Sequence, residues 1–188
     1  PDKDASLLAT GRDTKGNLQY RYNPSTIRSN SRDKFRRMVG LSELLPTIRA
    51  SLDAGGKSKL TSGMDSKEEA VKMAISLLSE CSFRIGNPKY LKQNQSHGLT
   101  NLLVRHYDPK HHIITFKGKT NQTNVCKVQN EATQRYLQRR ARSLKPSDRI
   151  FSYTSRRNEG QRSSILPVDI NQLLRSHGDI TAKDFRMW

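Results

Sequence analysis

Acidic residues are scarce in this chain. There are 17 Asp and Glu against 34 Lys and Arg, a formal net charge of +17 over 188 residues. Uniform positive charge on that scale argues against a metabolic enzyme and for a polyanionic partner, nucleic acid being the commonest. Aromatics make up only 6% and hydrophobic residues 33%, so the core must be lean. Long apolar runs are missing as well: nothing approaches the ~20 consecutive apolar residues of a membrane span. The first residues lack the charged, apolar and small-residue succession of a secretory leader. Cys81 and Cys126 are the two cysteines, too few for a disulfide framework, so a reducing intracellular compartment is the expectation. No metal-ligand spacing joins them to the five histidines. His111 and His112, read as strand neighbours, would face opposite sides. Gly55-Gly56-Lys57-Ser58 falls short of a phosphate loop, because Ser51 stands where the first glycine is required. Asn94-Gln95-Ser96 and Asn121-Gln122-Thr123 match glycosylation triplets only formally, with no leader to support them.

At this length one or two domains are expected. The sequence opens at Pro1 without an initiator Met and stops within a helical pattern, which reads as a piece of a longer protein. Residues 1–64 are basic and rich in breakers. Between Arg12 and Arg37 stand eight basic residues against two acids. Leu18-Gln19-Tyr20-Arg21-Tyr22 alternates as a short strand does, and Asn23-Pro24 ends it. A helix is predicted from about Arg32 to Leu44. Ala54 to Ser58, with Ser62-Gly63, reads as a flexible linker and a candidate boundary. The clearest element follows: Asp65 and Glu68 form a capping-box pattern, and Val71, Ala74, Ile75 and Leu78 recur at i, i+3, i+4 and i+7. Ile113 to Phe116 and Val125 to Val128 read as the arms of a β-hairpin whose tip carries Lys117-Gly118-Lys119. A basic helix is expected from about Glu131 to Leu144 with Asn130 as its cap, and another from Val168 to Ser176 with Gly178 closing it. Gln134 to Arg162 holds nine basic residues against two acids. Thr181 and Asp184 make a second capping box, with Ile180 and Phe185 as a hydrophobic staple.

Several cations then stand out. Lys183 and Arg186 are three apart, so both lie on one face near the positive end of a helix dipole. They repel unless an anion sits between them; a merely solvated face is the plain alternative. Arg84 lies between the apolar Phe83 and Ile85. A charge so placed either pairs with a carboxylate or reaches into a cleft to hold a bidentate anion, and the sequence leaves both open. Lys119 at a hairpin tip is either a solubilising turn residue or an ammonium delivered to a phosphate.

Taken together, Phe83-Arg84-Ile85-Gly86-Asn87-Pro88-Lys89-Tyr90-Leu91, Gly98-Leu99-Thr100-Asn101-Leu102, Phe116-Lys117-Gly118-Lys119 and Thr181-Ala182-Lys183-Asp184-Phe185-Arg186-Met187-Trp188 resemble the type IB DNA topoisomerases, nearest their poxvirus-like and bacterial branch. Ala9 to Gly16 and Gln19-Tyr20-Arg21-Tyr22 resemble the stretch joining that family's small N-terminal domain to its catalytic one. The resemblance implies an α+β fold: a mainly helical catalytic domain of the tyrosine-recombinase and type IB topoisomerase kind, with a small antiparallel β-hairpin or sheet, preceded by part of an N-terminal DNA-gripping segment. It places residues 1–25 at the end of that segment or in a linker and residues 26–188 in the catalytic core, with a flexible loop at about 53–63.

The implied chemistry is relaxation of supercoiled double-stranded DNA by transesterification, without metal or other cofactor, through a 3′-phosphotyrosyl link. By motif position Arg84 and Arg186 would clamp the nonbridging oxygens, Lys119 would be the general acid, and Lys183 would contact the scissile phosphate or its neighbour. Arg12, Lys15, Tyr20, Tyr22, Lys89 and Lys117 would touch DNA. The resemblance also implies a monomer acting on DNA inside the cell or virion. The family's histidine and nucleophilic tyrosine lie downstream of the second arginine, and none of Tyr20, Tyr22, Tyr90, Tyr107, Tyr136 and Tyr153 falls in a matching motif. The expectation is that these 188 residues alone bind DNA without cleaving it. The alternatives are a tyrosine recombinase, which favours His-x-x-Arg where Lys183-Asp184-Phe185-Arg186 stands, and a non-catalytic basic binding protein.

Overall fold

A computed structural model describes residues 5–14, 16, 18–56, 66–88, 91, 95–154 and 161–186. The chain forms two units, Pro1–Gly40 and Leu41–Trp188. In the first, β1 (Leu7–Arg12) pairs antiparallel with β2 (Leu18–Tyr22), with Thr10 opposite Tyr20. The alternation of Leu18 to Tyr22 announced β2; its partner carries no comparable pattern. Helix α1 (Pro24–Gly56) is far longer than the predicted Arg32–Leu44. Asn23 is the reason: its side-chain oxygen accepts from the Ser25 N–H at 3.0 Å, and Pro24 is pre-set for a first helical position because it has no N–H to lose. A dipeptide that ends a strand here also starts a helix. The helix also takes in residues 54–56 of the expected linker; residues 57–63 lie outside the described residues.

The second unit is built around α2 (Lys67–Cys81). Val71, Ala74, Ile75 and Leu78 are buried, as their spacing requires, and so are Ala70, Met73, Ser76 and Leu77. The helix is therefore enclosed on most sides, and Leu41, Leu45, Ile48 and Leu52 of α1 belong to the same core. Its cap is Ser66 rather than Asp65: the Ser66 hydroxyl accepts from the Glu69 N–H at 3.0 Å. Two acceptors sit side by side in the sequence, and the backbone turns at the second.

Three strands form the central sheet in the order β3 (Tyr107–Asp108), β4 (Ile113–Lys117), β5 (Thr123–Lys127), all antiparallel. Ile114 and Phe116 of β4 are buried while Thr115 and Lys117 are exposed, the two-residue period of a half-covered strand. His111 and His112 belong to the tight turn before β4 and not to a strand, and His112 has φ 58°. The turn is fixed by Asp108, whose carboxylate accepts from the Lys110 N–H at 2.9 Å.

Helix α3 (Glu131–Ser143) starts where expected, with the Asn130 side chain accepting from the Thr133 N–H. A two-stranded sheet of β6 (Ser152–Thr154) and β7 (Arg162–Ser164) follows. Helices α4 (Pro167–Arg175) and α5 (Ala182–Phe185) complete the unit, and both pack on α2. Ile180 and Phe185, the staple pair, are buried. The architecture is thus α+β, mixed helices with small antiparallel sheets.

The two cysteines are paired, which the sequence reading did not expect. Cys81 and Cys126, 45 residues apart, form a disulfide with Cα atoms 5.8 Å apart. Counting cysteines could not find this, because the contact depends on β5 lying beside the end of α2, and no local pattern encodes that.

Candidate nucleic-acid and phosphate site

The site begins at the end of α2. Ser82 adopts the left-handed conformation (φ 51°, ψ 31°) and its N–H bonds the Leu78 carbonyl, which turns the chain. Phe83 is then buried, its ring edge-on to Phe116 of β4 with centroids 4.9 Å apart. Ile85 packs against the core. Between two inward side chains, Arg84 points out and is exposed. Of the two readings open in the sequence, the structure removes the carboxylate pair: among the described residues no acid bonds Arg84. Partial loss of water, and after it the positive charge of Arg186, push the Arg84 guanidinium below its ordinary pKa.

Arg186 comes from the far end of the unit, directly after α5. The capping pair holds it there. Asp184 is buried, and its carboxylate accepts from the Thr181 N–H at 2.7 Å and the Thr181 hydroxyl at 2.8 Å. That acid is committed inward, so Lys183 and Arg186, both exposed, are left without an acidic partner among the described residues. Two guanidiniums that repel, with no carboxylate bonded to either among the described residues, can share an anion such as phosphate.

Lys119 follows Gly118 at the tip of the β4–β5 hairpin, and its ammonium has no ion-pair partner among the described residues. Thr120 and Asn121 behind it both have positive φ (59° and 60°). Positive φ at both central positions matches the twist of a tight hairpin, yet a β-branched residue there is strained. Lys117 is exposed and donates to the Thr123 hydroxyl at 2.7 Å.

A three-residue strip ties this hairpin to the Arg84 loop. The His97 N–H donates to the Lys117 carbonyl at 3.0 Å, and the Leu99 N–H donates to the Arg84 carbonyl at 2.8 Å. Gly98 between them is extended (φ −156°, ψ −176°). The Thr100 N–H and hydroxyl both reach the Ile85 carbonyl, at 2.9 and 3.0 Å. Beneath lie two imidazoles, His97 and His106, edge to face with centroids 4.5 Å apart. His106 accepts the Leu103 N–H at its Nδ1, which requires the neutral ring. Burial first, then the neighbouring His97 and Arg105, push its pKa down to about 4.

The structure thus puts Arg186 near enough to Arg84 for its charge to act on that guanidinium, joins the Lys119 hairpin to the Arg84 loop through the backbone, and sets Lys183 on the short helix that Arg186 directly follows. Tyr20 and Tyr22 are exposed on β2 of the first unit, rings stacked with centroids 6.3 Å apart. Arg12 is exposed on β1, its guanidinium bonded to the Gly16 carbonyl at 2.7 Å. Lys15 and Lys89 lie outside the described residues. Sequence reasoning missed the supporting residues His97 and His106. His97 directly precedes one of the quoted motifs, which was the only signal available.

The chain is similar to several known proteins. The family model described as the eukaryotic DNA topoisomerase I catalytic core matches residues 23–188. DNA topoisomerase 1B of Acanthamoeba polyphaga mimivirus is 26% identical over 193 residues, covering 98% of this chain and 55% of that protein. DNA topoisomerase I of monkeypox virus is 29% identical over 117 residues, 60% of this chain and 35% of that protein. DNA topoisomerase 1B of vaccinia virus, strain Copenhagen, is 28% identical over the same length and shares. The chain spans about half the length of the mimivirus relative and about a third of the poxvirus relatives.

Proposed function

Because the chain belongs to the family of the eukaryotic DNA topoisomerase I catalytic core, we propose that it carries the cation set of a type IB DNA topoisomerase, which relaxes duplex DNA by reversible transesterification. In this reading a tyrosine oxygen attacks the scissile phosphorus, the P–O5′ bond breaks, and the departing oxygen takes a proton from Lys119. The 3′-phosphotyrosyl link keeps the energy of the phosphodiester, so resealing by the 5′ hydroxyl needs no nucleotide. Arg84 and Arg186 neutralise the nonbridging oxygens as charge builds on the pentacoordinate phosphorus, and Lys183 contacts the same phosphate or its neighbour. Arg12, Lys15, Tyr20, Tyr22, Lys89 and Lys117 touch the duplex. In this reading the attacking tyrosine is none of those within these 188 residues. On their own they bind DNA, as a monomer, and the whole protein acts where its DNA is, inside the cell or virion.

The observation that carries this reading is the Arg84–Arg186 pair, two mutually repelling guanidiniums with no acid bonded to either among the described residues. The experiment places Arg84→Ala and Arg186→Ala in the protein that includes the tyrosine. Each loses about 10²-fold or more of its cleavage rate, the scale of a removed oxyanion donor, while duplex affinity changes little. Equal losses in affinity and cleavage would instead favour a non-catalytic binding module. Plasmid relaxation by the 188-residue chain alone would overturn the assignment of the tyrosine.

A further inference from the structure

We propose that His97 is a positioning residue that sets the separation between Arg84 and the Lys119 hairpin. The inference rests on the function proposed above. Three contacts converge on this one residue. Its backbone N–H holds the Lys117 carbonyl, two residues before Lys119. Its Nδ1–H donates to the Asn101 carbonyl at 3.0 Å, which locks the ring. The ring meets His106, and His106 in turn lies against Phe116 of β4, centroids 6.1 Å apart.

On its other side, His97 leads through Gly98 to Leu99, which holds the Arg84 carbonyl. The two donor nitrogens are two residues apart, so they are separated by no more than about 7 Å. The carbonyls of Arg84 and Lys117 are therefore pinned to one short extended strip. Loss of the imidazole leaves the backbone bonds of the strip in place but removes the ring's anchors at the hairpin end, the Asn101 bond and the packing on His106, while the Leu99–Arg84 bond and the Thr100 bonds to Ile85 keep the other end fixed. The hairpin, and with it Lys119, should drift relative to a fixed Arg84. A residue acting through Lys119 affects only the step in which Lys119 gives up its proton.

The leaving atom distinguishes that role from general support. With oxygen at the 5′ bridging position, the departing group needs a proton from Lys119. With sulfur there, the P–S bond breaks and the thiolate leaves unprotonated, so the general acid is dispensable. The protein including the tyrosine is made as wild type, His97→Ala, His97→Gln and Lys119→Ala. Single-turnover cleavage is measured on duplexes carrying oxygen or sulfur at the mapped scissile phosphate.

His97→Ala should lose about 10- to 100-fold with oxygen, the scale of a small misplacement of a reacting group, and regain most of it with sulfur, while duplex affinity holds. His97→Gln keeps a donor for the Asn101 carbonyl but loses the ring contact, so it should fall between, with the sulfur-to-oxygen rate ratio still above wild type. Should His97→Ala fail to fold, that ratio in His97→Gln decides. An unchanged ratio in the folded His97 variants, alongside rescue of Lys119→Ala by sulfur, overturns this inference alone. Failure of sulfur to rescue Lys119→Ala overturns the assignment of Lys119 as general acid.

Discussion

Gly98 lies against Gly86 backbone to backbone. A Cβ on Gly98 would stand 2.5 Å from the Gly86 Cα, 2.6 Å from its nitrogen and 2.7 Å from the Arg84 carbonyl oxygen. All three obstacles are main chain, so none can swing aside as a side-chain tip does.

Gly98→Ala should therefore destabilise the second unit by about 1–3 kcal/mol, the range for overpacking a closed site, and spread the Arg84 loop from the hairpin strip. Urea unfolding of the variant checks it; a midpoint equal to wild type would show that the two backbones separate without cost.

The Cys81–Cys126 bond closes a loop across 45 residues. Loop-closure entropy puts its contribution at about 4 kcal/mol, and native disulfides return about 2–5 kcal/mol on removal. Cys81→Ser should lower stability on that scale, and reductant should do the same to wild type but nothing to the variant. Thermal melts of both proteins with and without reductant read this out. The bond ties the residue three before Arg84 to the strand following the Lys119 tip, so its loss should also loosen hydrogen-exchange protection at β5.

His106 gives stability a pH dependence of definite sign. Its folded pKa, about 4, is depressed from the usual ~6.5, so the unfolded chain takes up the proton first. Stability from this group is level above pH ~6.5 and falls as pH drops from there to about 4, by something on the order of 2 kcal/mol. His106→Gln should flatten that limb. Denaturation midpoints measured from pH 7 down to 4 test the sign; a midpoint that rises on acidification would contradict it.

Duplex binding by a chain of net charge +17 should be dominated by counterion release. If about 6–10 phosphates are engaged, affinity falls about 10³–10⁵-fold between 50 and 200 mM salt. Titrations across that range measure the slope, and a flat dependence would rule out extensive backbone contact. Tyr20→Ala should weaken binding with little change in slope, because an aromatic contact releases no counterion.

Where the sequence spoke clearly, a single element answered for itself. The stripe on α2, the Asn130 cap of α3, the alternation of β2 and the Ile180–Phe185 staple each express a period of 3.6 or 2, or a fixed cap spacing, within one stretch of chain. Boundaries failed where one residue serves two signals. Asn23-Pro24 ends β2 and also starts α1, and Ser66 displaced Asp65 as a cap because both offer an acceptor.

By itself, then, the sequence determined an excess of positive charge that no folding can remove, and the helices and hairpin next to which Arg84, Lys119 and Arg186 stand. Only the tertiary structure decided that Arg84 comes under the charge of Arg186 and bonds no carboxylate among the described residues, that Cys81 meets Cys126, and that His97 bridges the loop and the hairpin. Each of these is a meeting of segments distant along the chain. Local propensity is silent on such meetings, because they are chosen by how α2, the sheet and α5 share one core.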